Sequence, residues 1–160
     1  PDAIQALYDE IDSFDAVVCA AGNAAFNPLE ELSDDDFALS LDSKLMGQVN
    51  LVRYGVPHIS TDANPSFTLV SGILSTNPVP GSAAISTVNS GVEGFARAAA
   101  LEAPDGVRVN VVSPPWVSET LEEMGRDPSD GLPAATVAKA FVDSVTGEMT
   151  GEIIDARDYA

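Results

Sequence analysis

Ser71 and Lys44 carry two side chains whose types could do chemistry together. A lysine amine that has lost its proton can act as the base that activates a serine hydroxyl, so the pair would suit a serine–lysine hydrolase. The sharp Gly-x-Ser-x-Gly turn that exposes the nucleophile in many hydrolases is absent from the sequence. A hydrolase therefore stays a minor hypothesis, and Ser71 has a simpler interpretation as a hydroxyl that completes a turn.

Three other side chains each have a plain interpretation. Cys19 is the single cysteine and has no histidine near it in the sequence, so we interpret it as a small buried hydrophobic residue. His58 is the single histidine, and we expect it in solvent at the end of a helix. Trp116 is expected either to wall a ligand pocket or to cap the core.

These side chains must be positioned by a central stretch, Ser66 to Glu102, around which the chain is organised. Phe67 to Val70 predicts a strand, which a Ser-Gly turn and a proline-containing loop follow. The segment after the loop has apolar residues at helical spacings of four, three and four, namely Val88, Val92, Phe95 and Ala99. Val107 to Val112 predicts the next strand, and this strand–helix–strand order requires a parallel pair.

The rest of the chain continues the alternation. Ser33 with Asp36 three residues later resembles a capping box, which begins a helix. A long amphipathic helix should follow, marked by Phe37, Leu41, Leu45, Val52 and Val56. The other predicted elements are a helix over 1–11, a strand over 14–19 buried on both faces, a polar loop over 118–131, a last helix beginning at Pro133 and a strand over 152–155.

This order predicts an α/β fold in which a parallel sheet has helices on both faces. Ligands of such sheets bind outside the carboxyl ends of the strands. Three segments with sharp-turn residues follow predicted strands, and we expect them to lie side by side: Ala20-Ala21-Gly22, Ser71-Gly72 and Ser113 to Trp116.

Length and composition favour one domain with a real core, because 45% of the 160 residues are apolar. No apolar run approaches the roughly 20 residues that cross a bilayer, and one cysteine fits a reducing compartment, so we expect a cytoplasmic protein. With 25 acidic against 7 basic residues, the net charge of −18 argues against nucleic-acid binding. We interpret this charge as a solvated surface suited to high salt, with an ordinary acidic protein as the alternative.

Four segments in order resemble the short-chain dehydrogenase/reductase superfamily, and the resemblance covers Phe14 to Asp155. Asp15 to Gly22 (DAVVCAAG) is similar to the family's central strand and Asn-Asn-Ala-Gly turn, and Val88 to Glu102 is similar to its main helix. Arg108 to Pro115 (RVNVVSPP) resembles a strand that usually ends in Pro-Gly, and TGEII resembles the start of the last strand. The resemblance implies a Rossmann-like three-layer sandwich, with residues 1–160 as one partial domain, the C-terminal two-thirds of a doubly wound domain.

The resemblance also reveals departures from the family. The Gly-rich turn that holds the dinucleotide pyrophosphate is absent, so we expect the chain to be a fragment that lacks roughly the first third of an unusually short member. The family's catalytic Tyr and Lys fall on Ile85 and Asn89, which cannot do that acid–base chemistry. The family's Ser falls on Gly72 or, with a slip of one residue, on Ser71, and its helix Asn falls on Lys44.

The activity that the resemblance implies is that of an NAD(P)-dependent oxidoreductase acting on a small carbonyl or alcohol substrate with atypical catalytic residues. The expected catalytic residues are Lys44, Ser71 and Asn89. The residues expected at the cofactor, NAD or NADP in the full-length protein, are Ala20, Ala21, Gly22, Asn89, Pro114, Pro115 and Trp116.

Two alternatives stay open. The protein could be a dinucleotide-binding sensor or partner that has lost catalysis, and Asn89 could simply bond to a neighbouring loop rather than to ribose. The family implies a homo-oligomer paired through helices that contain Gln48 to Val56 and Gly91 to Ala99, with small residues permitting close contact. We expect no metal, nucleic-acid or membrane partner.

Overall fold

The computed structural model describes residues 2–11, 13–62 and 64–160, and these contain a four-stranded parallel sheet in the order β1-β2-β3-β4. The register places Val18 beside Thr68, Thr68 beside Asn110, and Val111 beside Ile153. Each strand therefore pairs with the strand before it in the chain. The strands are β1 (Ala16–Val18), β2 (Ser66–Val70), β3 (Arg108–Ser113) and β4 (Ile153–Asp155).

Helices cover both faces of the sheet, as the alternating order predicts. They are α1 (Asp2–Glu10), α2 (Asp34–Ser40), α3 (Gly47–Gly55), α4 (Ala83–Glu102), α5 (Ser118–Glu123) and α6 (Ala134–Thr146). A π-helical segment, Leu41–Met46, joins α2 to α3 in one continuous helical run. None of the described helices is long and apolar enough to cross a membrane.

Successive side chains of β3 pack on opposite faces of the sheet, because the side chains of a strand alternate between its two sides. Val111 packs with Val92 and Ala96 of α4 in the larger apolar cluster. Val112 belongs to a second cluster with Val137 of α6. The sheet therefore lies in the middle of three layers, and this confirms the predicted Rossmann-like fold.

Arg108, at the start of β3, ties three distant segments together. The side chain is buried, with 6% of its surface exposed, and all five of its N–H donors find oxygen acceptors. Two of these acceptors are backbone oxygens in the last turn of α6, one belongs to the following loop and two belong to Asn64. Because helix C-termini leave carbonyl groups without partners, the guanidinium group caps α6.

The predicted start of the second helix is confirmed, and Leu45, Val52 and Val56 of its predicted apolar face belong to the larger core cluster, but Leu41 does not. Ser33 and Asp36 form the complete capping box. Leu41, predicted to face inward, is 38% exposed, while Ser40 is fully buried. The reason is that Ser40 has partners for its hydroxyl, which accepts from the Ala25 N–H and donates to the Asp36 carbonyl.

Two other sequence predictions need correction. The segment 118–131, predicted as a polar loop, contains α5, because the fully buried Leu121 anchors one helical turn to the core. The first strand was predicted to be buried on both faces, yet Val18 is 50% exposed. Within the described residues β1 lies at the edge of the sheet and pairs only with β2, so one side has less cover.

The first helix follows its prediction for the residues that the structure describes; Pro1 lies outside them. Tyr8 anchors it by donating its hydroxyl to the Leu51 carbonyl at 2.8 Å, and burial raises the pKa of Tyr8 to about 12. His58, expected in solvent, is half-buried just beyond α3, because its ring stacks on Tyr8. Cys19 is buried, as predicted.

Candidate functional site

The loops that follow β1, β2 and β3 lie next to one another at the carboxyl edge of the sheet, as predicted. The Ser71 N–H donates to the Val112 carbonyl at 2.9 Å, and the Ile73 N–H donates to the Pro114 carbonyl at 3.0 Å. On the other side, the Cys19 N–H donates to the Thr68 carbonyl at 2.9 Å. Backbone hydrogen bonds from β2 and from the loop after it therefore join the neighbouring segments on both sides.

A cleft of about 170 Å³ opens between the loops after β2 and β3 and the first turns of α4. Its wall is mostly apolar and includes Ile73, Ile85, Pro114, Pro115 and Trp116. The side-chain polar groups in the wall include Ser71 and Asn89. This cleft therefore brings together five of the predicted site residues: Ser71, Asn89, Pro114, Pro115 and Trp116.

Asn89 has one polar atom bonded and one without a partner. Its Nδ2 lies 3.4 Å from the Gly72 carbonyl oxygen, which confirms a contact with the neighbouring loop. Its Oδ1 is buried and has no hydrogen-bond partner among the described residues. A Cβ at Gly72 would lie 3.0 Å from that Nδ2, so glycine at this turn lets the amide approach. A buried acceptor without a partner is costly unless a ligand supplies the donor.

Ser71 bonds to Glu93, a residue that the sequence analysis missed. The Ser71 hydroxyl donates to Glu93 Oε1 at 2.9 Å, and the Ser75 hydroxyl donates to the same oxygen at 2.6 Å. Arg97 Nη2 lies 3.7 Å from Glu93 Oε2. The signal in the sequence was the spacing of four between Asn89 and Glu93, which puts both on one face of α4.

Lys44 lies at a different strand end, beside the loop after β1. It occupies the π-helical segment and is 7% exposed, and burial lowers the pKa of its amine below the ordinary value of 10.5. Gly22, with φ of +134°, packs so close that a Cβ there would be 2.9 Å from Lys44 Cα. Lys44 is not among the residues that line the cleft, and Ser71 bonds to Glu93, so the serine–lysine pair is not formed.

Gln48 connects the two regions. Its Nε2 donates to the Val70 carbonyl at 2.8 Å and its Oε1 accepts from the Val70 N–H at 2.7 Å. The same Nε2 lies 3.0 Å from the Lys44 carbonyl oxygen. The side chain is 1% exposed, so this amide fixes the distance between the lysine segment and the end of β2.

Comparison with known proteins agrees with this geometry. The family described as enoyl-(acyl carrier protein) reductase matches residues 1–154. The chain belongs to the short-chain dehydrogenase/reductase superfamily. Among solved structures, the protein lin1944 from Listeria innocua is 38% identical to this chain, with a TM-score of 0.89 over 96% of this chain and 77% of that one.

Two curated relatives have lower sequence identity to this chain. The short-chain dehydrogenase/reductase ucsE of an Acremonium species is 26% identical over 151 residues, which are 87% of this chain and 56% of the relative. The hydroxynaphthalene reductase arp2 of Aspergillus fumigatus is 29% identical over 119 residues, or 74% of this chain and 43% of the relative. The chain thus spans about half the length of these relatives.

A small-chain dehydrogenase solved in complex with NADPH shares the fold, with a TM-score of 0.83 at 22% identity, covering 96% of this chain and 77% of the other. At that identity the likeness concerns the fold alone.

The predicted site residues of this chain form two groups at one sheet edge. One group is the cleft residues, and the other is Lys44 with the exposed loop Ala20-Ala21-Gly22.

Proposed function

We propose that the full-length protein containing this chain is an NAD(P)-dependent oxidoreductase acting on a small carbonyl or alcohol substrate. The observation that carries the proposal is the mostly apolar cleft at the strand ends, with the buried and unpartnered Oδ1 of Asn89 in its wall. Superfamily membership supplies the reaction class, and the cofactor, NAD or NADP, would supply or accept the hydride.

Residues of the cleft and of the neighbouring loop would contact one part of such a cofactor. Asn89 Oδ1 would accept a hydrogen bond from a hydroxyl or amide donor, and Pro114, Pro115 and Trp116 would provide an apolar wall. The exposed loop Ala20-Ala21-Gly22 would contribute backbone at the neighbouring strand end. The pyrophosphate would require residues outside this chain, because its sequence has no Gly-rich turn.

Lys44 has two candidate roles in this proposal. A buried amine with a lowered pKa can serve as a proton donor nearer to neutral pH, which would replace part of the role left open at Ile85 and Asn89. Alternatively, the positive charge of Lys44 would hold a cofactor phosphate. Positive charges are scarce in this chain, whose net charge is −18.

Changing Lys44 to Met in the full-length protein separates the two roles. Loss of turnover with unchanged cofactor affinity supports the acid, and loss of cofactor binding alone supports the phosphate contact. Lys139→Met is the matched control, since it removes the other lysine, which lies exposed on α6. Full activity and full binding in the Lys44→Met protein would reject both roles.

A dinucleotide-binding protein without catalysis is the second candidate. The observation that favours it is Ile85, an aliphatic side chain in the cleft wall at the position where the family has its tyrosine. Calorimetry with NADH and NADPH, followed by turnover assays on small aldehydes, ketones and alcohols, distinguishes the candidates. Tight binding without turnover on any of them would favour the sensor or partner.

A further inference from the structure

The segment between α5 and α6 brings a positive charge to the outer end of the cleft. The Arg126 guanidinium group lies over the Trp116 ring, with its Cζ atom 5.2 Å from the ring centroid. Trp116 lines the cleft, whereas Arg126 is exposed to solvent. A cation at this distance from the face of an indole is attracted by the electron density of the ring. The apolar wall therefore ends at an arginine.

The end of α5 holds the backbone of Arg126 in place. Leu121 is fully buried and anchors the helix to the core. The Gly125 N–H donates to the Glu122 carbonyl at 2.9 Å, and the Arg126 N–H donates to the Leu121 carbonyl at 2.8 Å. This pair of hydrogen bonds is a common way to close the end of a helix. The arginine thus extends from a fixed turn toward the indole ring.

Contacts on other sides hold Trp116. Its ring packs edge-on against Phe26, with the centroids 6.1 Å apart and 60° between the ring planes. Its carbonyl oxygen accepts a hydrogen bond from the Leu132 N–H at 2.8 Å. The aromatic part of the wall is therefore in place before a ligand binds, which lowers the entropic cost of binding.

The charge of Arg126 has no protein partner among the residues that the structure describes. The other four arginines each contact a protein oxygen through the guanidinium group. The two ion pairs of the described residues join other groups. Asp127, its neighbour in sequence, instead accepts two hydrogen bonds from Ser129. The N–H donors of the Arg126 side chain are thus available to an anion from outside.

We infer that Arg126 is a specificity-determining residue, which selects a substrate with an apolar body for the cleft and a carboxylate at its outer end. A guanidinium group matches a carboxylate in geometry and can bind both of its oxygens. The net charge of −18 repels anions in general, so a preference for an anion over a neutral compound would require a local cation. The inference rests on the proposed function and names its substrate class, small apolar carbonyl or alcohol compounds that carry a carboxylate.

Cyclohexanecarboxylate and cyclohexanecarboxamide are suitable probes, because they have the same ring and nearly the same size but differ in charge. We would titrate each at low salt into the ¹⁵N-labelled full-length protein without cofactor and follow the indole N–H signal of Trp116, assigned with Trp116→Phe. The carboxylate should reach half-saturation at a concentration roughly fivefold below that of the amide. In about 0.5 M KCl the difference should shrink, because salt screens an exposed pair. Equal affinity, tighter binding of the amide, or no shift with either probe would overturn the inference.

Arg126→Gln tests the cause of the preference. The variant keeps a long polar side chain but removes the charge, so the two probes should bind with similar affinity. Arg157→Gln is the matched control, because it removes another exposed arginine, one that pairs with Asp155 after β4, and changes the net charge by the same amount. A preference that persists in Arg126→Gln, or that Arg157→Gln also removes, contradicts the inference.

A phosphate group of the cofactor is the other anion that Arg126 would suit. Calorimetry with NADH and NADPH separates this source, because Arg126→Gln should leave both affinities unchanged. A loss of cofactor affinity in this variant would assign the charge to the cofactor and overturn the inference.

These measurements involve no turnover, so they also separate the two proposals. A carboxylate preference in a protein that oxidises and reduces nothing would reject the proposed function and leave the carboxylate site standing. Turnover of neutral alcohols or ketones by a protein without that preference would do the reverse.

Discussion

Lys44 lies where a lysine is seldom found, on the inward face of a helical run, with 7% of the residue exposed. Of the two ion pairs among the described residues, one joins Arg97 to Glu93 and the other Arg157 to Asp155, so neither offsets this burial. Desolvation disfavours the charged amine, and its pKa falls. The folded state therefore carries an electrostatic cost at this residue.

We predict that Lys44→Met stabilises the fold at neutral pH, and that the difference depends on pH. The amine has a lower pKa when folded than when unfolded, so the cost is complete below the folded pKa and disappears as pH rises toward the unfolded value near 10.5. Each unit of lowering corresponds to about 1.4 kcal/mol. Urea unfolding of the wild type, Lys44→Met and the exposed Lys139→Met from pH 7 to 10 measures the effect, and a constant difference would contradict it.

The sequence located most candidate residues but not their surroundings. Ser71 and Lys44 follow from alignment with family motifs, and the structure places each at a strand end. Glu93 was missed because an acidic residue in a helix is usually solvated, and only the serines folded against it explain its burial. Such a cluster joins residues from different elements, which no local pattern in the sequence shows.

The helical run 34–55 also shows how far a sequence pattern can predict a secondary-structure element. Apolar periodicity predicted its existence, and the capping box predicted its start. The inward face was predicted only in part, because beside Leu45, Val52 and Val56 it also carries Ser40, Lys44 and Gln48 at spacings of four, each buried. Lys44 lies within the π-helical segment, and such segments often occur at functional sites. Buried polar residues thus accompany the apolar stripe that the pattern predicts.

Gln48→Ala should weaken the attachment of this run to the sheet. The substitution leaves the N–H and carbonyl groups of Val70 without their side-chain partner in a buried place, which should cost about 2 to 4 kcal/mol. Gln5→Ala, on the exposed surface of α1, is the control and should change stability little. Denaturant midpoints measure both, and equal effects would show that the amide contributes no more than a surface side chain.

For the whole molecule, charge is the dominant feature, with 25 acidic residues against 7 basic ones. We predict that the melting temperature rises by several degrees from low salt to molar KCl, because screening relieves repulsion within the folded state. Most of the rise should occur below about 0.5 M, where the Debye length shortens fastest. An equally osmotic sorbitol series is the control, and a flat melting temperature in KCl would contradict the interpretation of a salt-adapted surface.

Assembly is the other property at this scale, and we expect the full-length protein to pair through α3 and α4. Phe95 and Ala98 line a groove between these helices with Val52 and Val56. The position of Gly94 is open to close approach, and a Cβ at Gly91 would lie 3.1 Å from Leu45 Cδ1 of the same chain.

Ala98→Arg should therefore convert the oligomer to a monomer, because a bulky cation would enter the shared helical surface. Ala134→Arg, exposed on α6, is the matched control and should leave the assembly unchanged. Light scattering after size-exclusion chromatography gives the mass of each variant, and a wild type that is strictly monomeric at working concentration would refute the expected pairing.

The contacts of Arg108 affect how the protein unfolds locally. One guanidinium group holds the loop at Asn64, the last turn of α6 and the carbonyl of Met149, so none of these segments can separate without stranding buried donors. Fraying of α6 from its C-terminal end is thereby coupled to the opening of the sheet. Amide protons in that last turn should exchange with solvent as slowly as those of β3, although helix ends ordinarily exchange first. The end of the helix and the start of the strand would then behave as one cooperative unit.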